Sequence, residues 1–313
     1  MAKTRALRRR IRSIESTRQV TRTMEMVSTS KLKRAQDRVV GARPYARALA
    51  EVIGDLLSPE LAERFPLLRQ PAPPSKGGPR RAAVLLITSN RGLAGAFNAN
   101  LIHLGRDRVS ELEAAGYTVD LLVVGKKAIS YFKFVRRPLA LARLDVGDRP
   151  TAEHAAELVE PLIAQFEAGE LASLDVVFAQ FKSALATPPA VLRVLPVEPR
   201  GADAPAQGRT GARAQGGAVT PAPKAPASNF ILKPGADELV GALLPLYVRN
   251  LVFRALVETA AAEHGARRAA MKSATDNAGE ILDVLRRTYN RARQGQITQE
   301  LAEIVGGAEA LKG

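Results

Sequence analysis

The last quarter of the chain places small and apolar residues at alternating steps of four and three positions, the pattern of a left-handed coiled coil. No proline follows Pro245, so a single helix can run from about Glu238 to Leu311. Such a helix is on the order of 110 Å long, more than a domain of this size can enclose. The predicted seam consists of Phe253, Val257, Ala260, His264, Arg267, Met271, Ala274, Ala278, Ile281, Leu285, Thr288 and Ala292.

This seam is mostly small or polar, so the helix needs a partner, and the N-terminal segment is the obvious candidate. Its only proline before Pro59 is Pro44, and its apolar residues follow helical spacing. These residues are Leu7, Ile11, Ile14, Met24, Val27, Leu32, Ala35 and Val39. We expect the two chain ends to pair as antiparallel helices, with part of the longer helix extending beyond its partner.

Between the two helical ends, strand and helix patterns alternate, which predicts an inserted α/β sheet domain and an α/β fold class. Strands are predicted at Ala82–Thr88, Thr118–Gly125, Leu174–Ser183 and Ala190–Val197, and helices at Asn98–Gly116 and Thr151–Gly169 with Thr151 as N-cap. Two segments rich in proline and glycine or alanine lack periodicity and predict a linker and a disordered insert. The predicted division is helix 1–58, linker 59–79, α/β domain 80–198, insert 199–228 and helix 229–313.

Charge is distributed unevenly along the chain. The net charge is +15, of which residues 1–47 carry +11, whereas basic and acidic residues balance from residue 236 onward. A basic arm indicates an acidic partner, which can be nucleic acid, a lipid surface or an acidic protein. The arm lacks the interleaved aromatic residues of many nucleic-acid binders, and its composition also resembles a transit peptide. The longest apolar run, Ala82–Ile87, is too short to cross a bilayer.

The sequence offers little that could carry out chemistry. Cysteine is absent, which excludes thiolate metal sites and cysteine nucleophiles. The loop Ser89–Asn98 lies where phosphate-binding loops occur, but it matches no phosphate-binding template, so we interpret it as a tight strand-to-helix turn. The three histidines, His103, His154 and His264, lack metal-ligand spacing. We therefore predict no catalytic site, no metal and no cofactor.

Three motifs resemble the gamma-subunit family of the F-type, proton-translocating ATP synthase. Segments similar to the family's signatures are Arg10–Ala46, Ile87–Leu101 and Met271–Leu311. The resemblance covers nearly the whole chain except the insert and implies a coiled coil flanking a Rossmann-like α/β domain. Because the pattern begins within the first ten residues, we expect no presequence and a bacterial-type protein.

The resemblance also implies a setting and partners. Family members are central-stalk rotors whose coiled coil stands inside a ring of three alpha and three beta subunits. Their globular part sits on the membrane c-ring beside the epsilon subunit, so that proton flow drives ATP synthesis at the beta sites. We therefore expect a peripheral protein at the cytoplasmic face of the bacterial membrane. It would touch the membrane only through the c-ring, and would neither bind nucleic acid nor catalyse a reaction itself.

Contact residues follow from the same resemblance. Arg267, Gln294 and Thr298 match polar positions that engage beta-subunit loops, and Met24 matches a coupling site. The basic residues Arg8, Arg9 and Arg12 would face an acidic lever segment of the beta subunit. At the end of the long helix, an apolar tip would turn in an apolar collar, formed by Leu301, Ile304 and Val305. For each residue the alternative is an ordinary solvated helix position.

Two features depart from the family pattern. Ala94 and Asn90 stand where the family motif usually has cysteine and aspartate, so thiol chemistry is impossible there. The insert 199–228 replaces a compact connection and lacks cysteine, which favours a passive tether over a regulatory element. Two rival functions remain to be tested, a basic coiled-coil nucleic-acid binder and a nucleotide-dependent α/β enzyme.

Overall fold

The computed structural model describes residues 2–56, 64–69, 80–184, 186–197 and 236–310. The insert 199–228 and most of the linker 59–79 lie outside the described residues. The helices are α1 (Ala2–Leu56), α2 (Phe97–Ala114), α3 (Lys126–Phe134), α4 (Ala152–Glu167) and α5 (Ala236–Ala310), with a 3₁₀ turn at Pro66–Leu68. The strands are β1 (Arg80–Ile87), β2 (Tyr117–Val124), β3 (Leu141–Arg143), β4 (Leu171–Ala179) and β5 (Pro189–Leu195).

Contacts divide the chain into two units. Unit 1 comprises residues 1–30 and 267–313, and unit 2 comprises residues 31–266. The predicted boundaries near residues 58 and 229 follow the helix ends, whereas the contacts divide the chain within the two long helices. Both α1 and α5 therefore contribute residues to each unit.

Unit 2 contains a five-stranded sheet in the order β3-β2-β1-β4-β5. β3, β2, β1 and β4 are parallel, and β5 pairs antiparallel with β4 at one edge. The two helices α2 and α3 connect parallel strands, as expected for βαβ crossovers. The predicted α/β sheet domain is therefore confirmed.

Alternate residues of β1 face opposite sides of the sheet, and both sides are buried. Val84 and Leu86 belong to the core formed with α2 and α3, whereas Leu85 and Ile87 belong to the core formed with α4. This two-sided burial explains the continuous apolar run in the sequence. On α2, Gly105 lies so close to Leu86 that an added Cβ would stand 3.1 Å from its methyl groups.

Local signals located the helix ends in unit 2. Thr151 caps α4 as predicted, because its hydroxyl accepts from the His154 amide at 3.3 Å and the His154 ring accepts from the Thr151 amide at 3.1 Å. Gly116 has a φ of +87° after α2, which glycine adopts at low cost. α3 and β3 were not predicted from the sequence. β3 has only three residues, and it is a strand because it pairs with β2.

In unit 1, α1 and α5 run antiparallel. Thr4 contacts Gln296 at 3.1 Å, Glu15 pairs with Arg286 at 2.6 Å, and Thr21 bonds to Thr275 at 2.8 Å, so numbers rise along α1 as they fall along α5. This arrangement confirms the predicted antiparallel pairing. Residues 297–307 are all exposed within the part of the chain that the structure describes. The end of α5 thus extends past its partner, as predicted.

The phase of the α5 seam differs from the prediction. Its buried positions in unit 1 are Arg267, Met271, Thr275, Ala278 and Leu282. Ile281 was predicted to lie in the seam, but it is 49% exposed while Leu282 is 1% exposed. A repeat of four and three can begin with either step after Met271, and the bond from Thr275 to α1 selects the step of four.

On α1, the buried position next to Val27 is occupied by a serine. Val27 is one of the apolar residues at helical spacing, but it is 51% exposed, whereas the neighbouring Ser28 is 3% exposed. The Ser28 hydroxyl can be buried because it donates to the Met24 carbonyl at 2.7 Å. A pattern of apolar residues alone could not identify a buried serine.

Candidate interaction surface on the coiled coil

Polar contacts between the two helices set the register of unit 1. The hydroxyls of Thr21 and Thr275 bond at 2.8 Å, and Thr275 also donates to the Met271 carbonyl. Farther along, the Arg18 guanidinium lies over Gly279, where an added Cβ would stand 3.7 Å from its atoms. These contacts were not predicted from the sequence, although it shows a threonine on each helix and a glycine on α5 at these positions.

Three predicted contact arginines lie on the outside of α1. Arg8, Arg9 and Arg12 are exposed, and none of them forms an ion pair with any residue in the described ranges. The nearest interhelical ion pair, Glu15 with Arg286, is itself half exposed. These guanidinium groups are therefore available to an acidic surface outside the chain.

Gln294 and Thr298 lie one turn apart on α5. Both are exposed, and the Thr298 hydroxyl donates to the Gln294 carbonyl at 3.0 Å. The Gln294 side-chain amide has no hydrogen-bond partner among the described residues. The side-chain amide of Gln294 and the hydroxyl oxygen of Thr298 are thus exposed on successive turns of α5.

The other two predicted residues are less accessible. Met24 is half-buried, and Arg267 is buried with 7% of its surface exposed. A direct contact between Arg267 and another protein would require its side chain to leave the seam.

The predicted apolar tip is exposed. Leu301 is 58%, Ile304 is 68% and Val305 is 61% exposed. These three residues occupy steps of three and one along α5, so they form one apolar side of a helix that has no partner among the described residues there.

The structure brings the predicted residues together in two groups. The contact between Thr4 and Gln296 places Arg8, Arg9 and Arg12 at the same end of unit 1 as Gln294 and Thr298. Met24 and Arg267 lie nearer the other end, since the bond between Thr21 and Thr275 fixes the local register. Along α5, Arg267 and Gln294 are about 40 Å apart at 1.5 Å per residue.

The loop that follows β1 in unit 2 uses its polar groups internally. Asn98 accepts from the Ser89 amide at 3.0 Å, and Asn90 accepts from the Lys126 amide at 2.9 Å. The Asn90 side chain also donates to the carbonyls of Leu144 and Val146. An aspartate at position 90 could not donate those two bonds, so the amide here ties two loops together.

An acidic loop of unit 2 is held to α1. Asp148 pairs with Lys31. Partial burial alone would raise the pKa of Asp148, but the hydrogen bond from Lys31 and the charges of His264 and Arg91 outweigh it, so this pKa lies below its usual range. In the same loop, the hydrogen bond from Arg143 lowers the pKa of Asp145 to about 2.

Near the end of β4 in unit 2, buried acceptors on α5 satisfy two backbone amides. Glu258 is 1% exposed, accepts from the Phe181 amide at 3.1 Å, and pairs with Arg254 at 2.7 Å. Thr259 accepts from the Ala179 amide at 3.2 Å. These bonds continue the pairing of β4 beyond its last strand residue.

No group of three or more potential metal ligands occurs among the residues that the structure describes. His264 is buried, His103 is exposed, and His154 belongs to the cap of α4.

The chain is similar over nearly its full length to one family of known proteins. A family profile described as ATP synthase matches residues 3–311. The ATP synthase gamma chain of Gemmatimonas aurantiaca is 55% identical over 313 residues, which is 100% of both chains. That of Moorella thermoacetica is 39% identical over 314 residues, again covering 100% of both.

Solved structures share the fold at low identity. A chain of the Euglena gracilis mitochondrial ATP synthase superposes with a TM-score of 0.63 at 18% identity, covering 99% of this chain and 95% of the other. A chain of the Tetrahymena thermophila mitochondrial ATP synthase, solved as central stalk and c-ring, has a TM-score of 0.53 at 19% identity, covering 82% and 99%.

Proposed function

This chain belongs to the ATP synthase gamma-chain family, and from that premise we propose that it is the central-stalk rotor of an ATP synthase. It couples proton flow through a membrane c-ring to ATP synthesis at beta-subunit sites by rotating. The observation that carries this proposal is the 55% identity with a gamma chain over the whole of both sequences.

The polar character of unit 1 supports a rotating shaft. Fully burying a large apolar side chain in a surrounding sleeve contributes about 1.5–3 kcal/mol, so a continuous apolar face would hold one orientation. A polar contact contributes about 0.5–1.5 kcal/mol net and can be exchanged at each step. The exposed positions of α1 and α5 near Gln294 are largely polar or charged, as such a shaft requires.

We assign the contact with beta-subunit loops to Gln294 and Thr298, which are exposed. The arginines Arg8, Arg9 and Arg12 face an acidic lever segment of the beta subunit, and their unpaired guanidinium groups support this role. Met24 and Arg267 form a second contact region. In this region Met24 is the accessible member, and Arg267 takes part only if it leaves the seam.

The tip of α5 acts as a bearing. Leu301, Ile304 and Val305 are more than half exposed, and an apolar collar contributed by the surrounding ring would cover them.

The subunit works without catalysing a reaction or binding a cofactor. The loop Ser89–Asn98 is the one place where the sequence suggested a phosphate site, and its polar side chains already bond to the chain itself. The catalytic sites would belong to the beta subunits, three of which alternate with three alpha subunits.

The remaining partners are the epsilon subunit and the c-ring, and the protein lies peripherally at the cytoplasmic face of a bacterial membrane. α5 contains a stretch long and apolar enough to cross a membrane, but half of that stretch is buried inside the protein, as in the core helix of a soluble protein. We propose that contact with the membrane is indirect, through the c-ring. We keep the segments 59–79 and 199–228 as a linker and a passive tether.

Reconstitution tests the proposal. The chain should co-purify with alpha and beta subunits, and a bead attached to it should rotate when ATP is added. Failure to join the ring, or a bead that stays still while ATP is hydrolysed, would refute the rotor role.

Two assays separate the rivals. Tight, salt-sensitive binding of DNA in a gel shift by the assembled complex would favour a nucleic-acid binder. Micromolar binding of ATP or NAD to the isolated chain in calorimetry would favour an α/β enzyme. We expect neither, since residues 1–30 contain no aromatic residue and the loop after β1 is internally bonded.

A further inference from the structure

The C-terminal end of α3 exposes an aromatic side chain that packs against nothing in the described chain. Phe134 is the last residue of α3 and is 87% exposed, the highest value of any large apolar side chain that the structure describes. Val135 follows it and is 53% exposed. Isolated exposed apolar residues are common, but an aromatic residue this exposed beside a second apolar one forms a candidate contact surface.

The backbone around Phe134 is held by hydrogen bonds. The Val135 amide donates to the Tyr131 carbonyl at 3.0 Å, and the Arg137 amide donates to the Phe132 carbonyl at 2.9 Å, so the helix ends in a closed turn. Arg137 is further held by an ion pair with Glu113 of α2 at 2.5 Å. The two apolar side chains are therefore presented in a fixed position.

An arginine occupies the turn position that usually belongs to glycine. Arg136 has a φ of +58°, a left-handed conformation that a side chain disfavours. Strained backbone that glycine would relieve indicates a role for the side chain that is present. Arg136 is exposed and forms no ion pair within the described residues, so the fold itself does not use its charge.

The surface is strongly basic. From Leu121 to Leu144 the chain contains no acidic residue. Its basic residues are Lys126, Lys127, Lys133, Arg136, Arg137 and Arg143. Arg137 and Arg143 pair with acidic residues elsewhere in unit 2, whereas Lys133, like Arg136, is exposed without an ion pair among the described residues.

We propose that Lys133, Phe134, Val135 and Arg136 form a docking surface for an acidic segment of another subunit that carries an apolar side chain of its own. This inference rests on the proposed function, because the occupant is a subunit of the same complex. Phe134 provides an apolar anchor, and Arg136 provides a guanidinium for a carboxylate. Aromatic residues and arginine are the residues most enriched at the centre of protein interfaces.

Charge and rigidity distinguish this occupant from two others. A second copy of this chain would bring a like-charged surface against the first, which is repulsive. An anionic bilayer matches the charge, but adsorption to lipid headgroups does not require a rigid, strained turn. A structured carboxylate partner does benefit, because preorganisation lowers the entropy lost on binding.

Photo-crosslinking in the assembled complex tests the proposal. A Phe134→benzoylphenylalanine variant is assembled with its partner subunits in membrane vesicles, irradiated, and the crosslinked peptide is identified by mass spectrometry. The expected product joins position 134 to an acidic segment of a partner subunit. The matched control is Leu93→benzoylphenylalanine, which probes an exposed leucine on the loop after β1 and should not give that product.

Two further variants separate docking from folding. Arg136→Gly should relieve the left-handed strain and leave the thermal midpoint unchanged or higher, yet reduce the crosslink yield at least threefold. Lys133→Glu combined with Arg136→Glu should reduce that yield at least tenfold.

Crosslinking to lipid, to a second copy, or to no partner would overturn the docking proposal, as would an unchanged yield in the charge-reversal variant. A wild-type chain that fails to assemble with alpha and beta subunits would overturn the rotor function as well. An assembled, rotating complex without the crosslink would overturn the docking proposal alone.

Discussion

One helix, α5, passes through two very different environments. From Ala255 to Gly265, in unit 2, every residue is buried, whereas from Ile297 to Gly307, in unit 1, every residue is exposed. Both stretches are helical and both mix polar with apolar residues. Helix formation therefore does not distinguish them, and burial depends on what packs around the helix.

Polar residues of α5 have different tasks in the two units. In unit 2, Glu258 and Thr259 are buried and each accepts from a backbone amide at or just after the end of β4, so each is part of the fold. In unit 1, Gln294 and Thr298 are exposed, and the fold does not depend on them. Buried polar groups of α5 therefore anchor the helix in the protein, whereas exposed polar groups remain available to bind other subunits.

Removal of a buried carboxylate from α5 should have the largest effect on stability among the variants that compare the two units. Glu258→Ala should lower the unfolding free energy of unit 2 by about 3–5 kcal/mol, because it removes a buried carboxylate that accepts from the Phe181 amide and pairs with Arg254. Urea denaturation followed by circular dichroism measures the change. The control Glu303→Ala removes an exposed carboxylate from the same helix and should change stability by less than about 0.5 kcal/mol. Equal effects would show that the two environments do not differ.

A pair of leucine truncations compares the two units directly. Leu256→Ala should cost about 4 kcal/mol and Leu282→Ala about 2 kcal/mol, since a cavity in a two-helix seam can collapse more easily than one in a sheet core. Both leucines are nearly fully buried, so the difference reports the surroundings. Hydrogen exchange along α5 would assign each loss to its unit. The contrast breaks if Leu282→Ala proves the more damaging change.

The hydroxyl pair of the seam offers a finer test. Thr275→Val should destabilise unit 1 by about 1 kcal/mol, because the Thr21 hydroxyl loses its partner across the helices. Thr21→Val should cost a similar amount, and the double variant should cost less than the sum of the two. Additive losses in a double-mutant cycle would mean that the two hydroxyls do not interact.

Acid provides a test confined to unit 2. The folded pKa of Asp148 lies below its usual value near 4, so its stabilising contribution is complete above about pH 5 and is lost as pH falls through the depressed pKa. Denaturation at pH 6, 4 and 3 should therefore show a smaller pH dependence for Asp148→Asn than for wild type. Lys31→Met should reproduce that flattening, and an unchanged slope in both variants would exclude this ion pair as a source of acid sensitivity.

The smallest effect on stability should accompany a clear effect on function. Gln294→Leu combined with Thr298→Leu should change the unfolding free energy by less than about 0.5 kcal/mol, because both residues are exposed. In the assembled complex the same variant should reduce ATPase turnover more than it reduces assembly. Asn290→Leu, an exposed position one turn earlier, serves as the control. Unchanged turnover would remove these two residues from the coupling contact.

Much of the fold was predictable from local patterns. The apolar run of β1, the cap at Thr151 and the glycine after α2 each act over a few residues, and all were identified correctly. The helix α3 and strand β3 were missed because they are short, with nine and three residues. The seam phase was wrong at Ile281, since a neighbouring residue fits the repeat equally well.

The candidate contact residues came from motif resemblance, and the structure gave their accessibility. Gln294, Thr298 and Arg8 are exposed. Arg267, which the repeat had already placed in the seam, is buried. The docking surface around Phe134 could not be predicted, because its exposure depends on how α3 packs on the sheet.

By itself, the sequence determined the two long helices, the α/β core between them and the family to which the chain belongs. These features rest on propensity, periodicity and motif, which act along the chain. Tertiary structure alone decided which face of each helix is buried, which polar groups bond across it, and which remain exposed. Those outcomes depend on the partner surface that approaches each residue, and residues distant in the chain supply that surface.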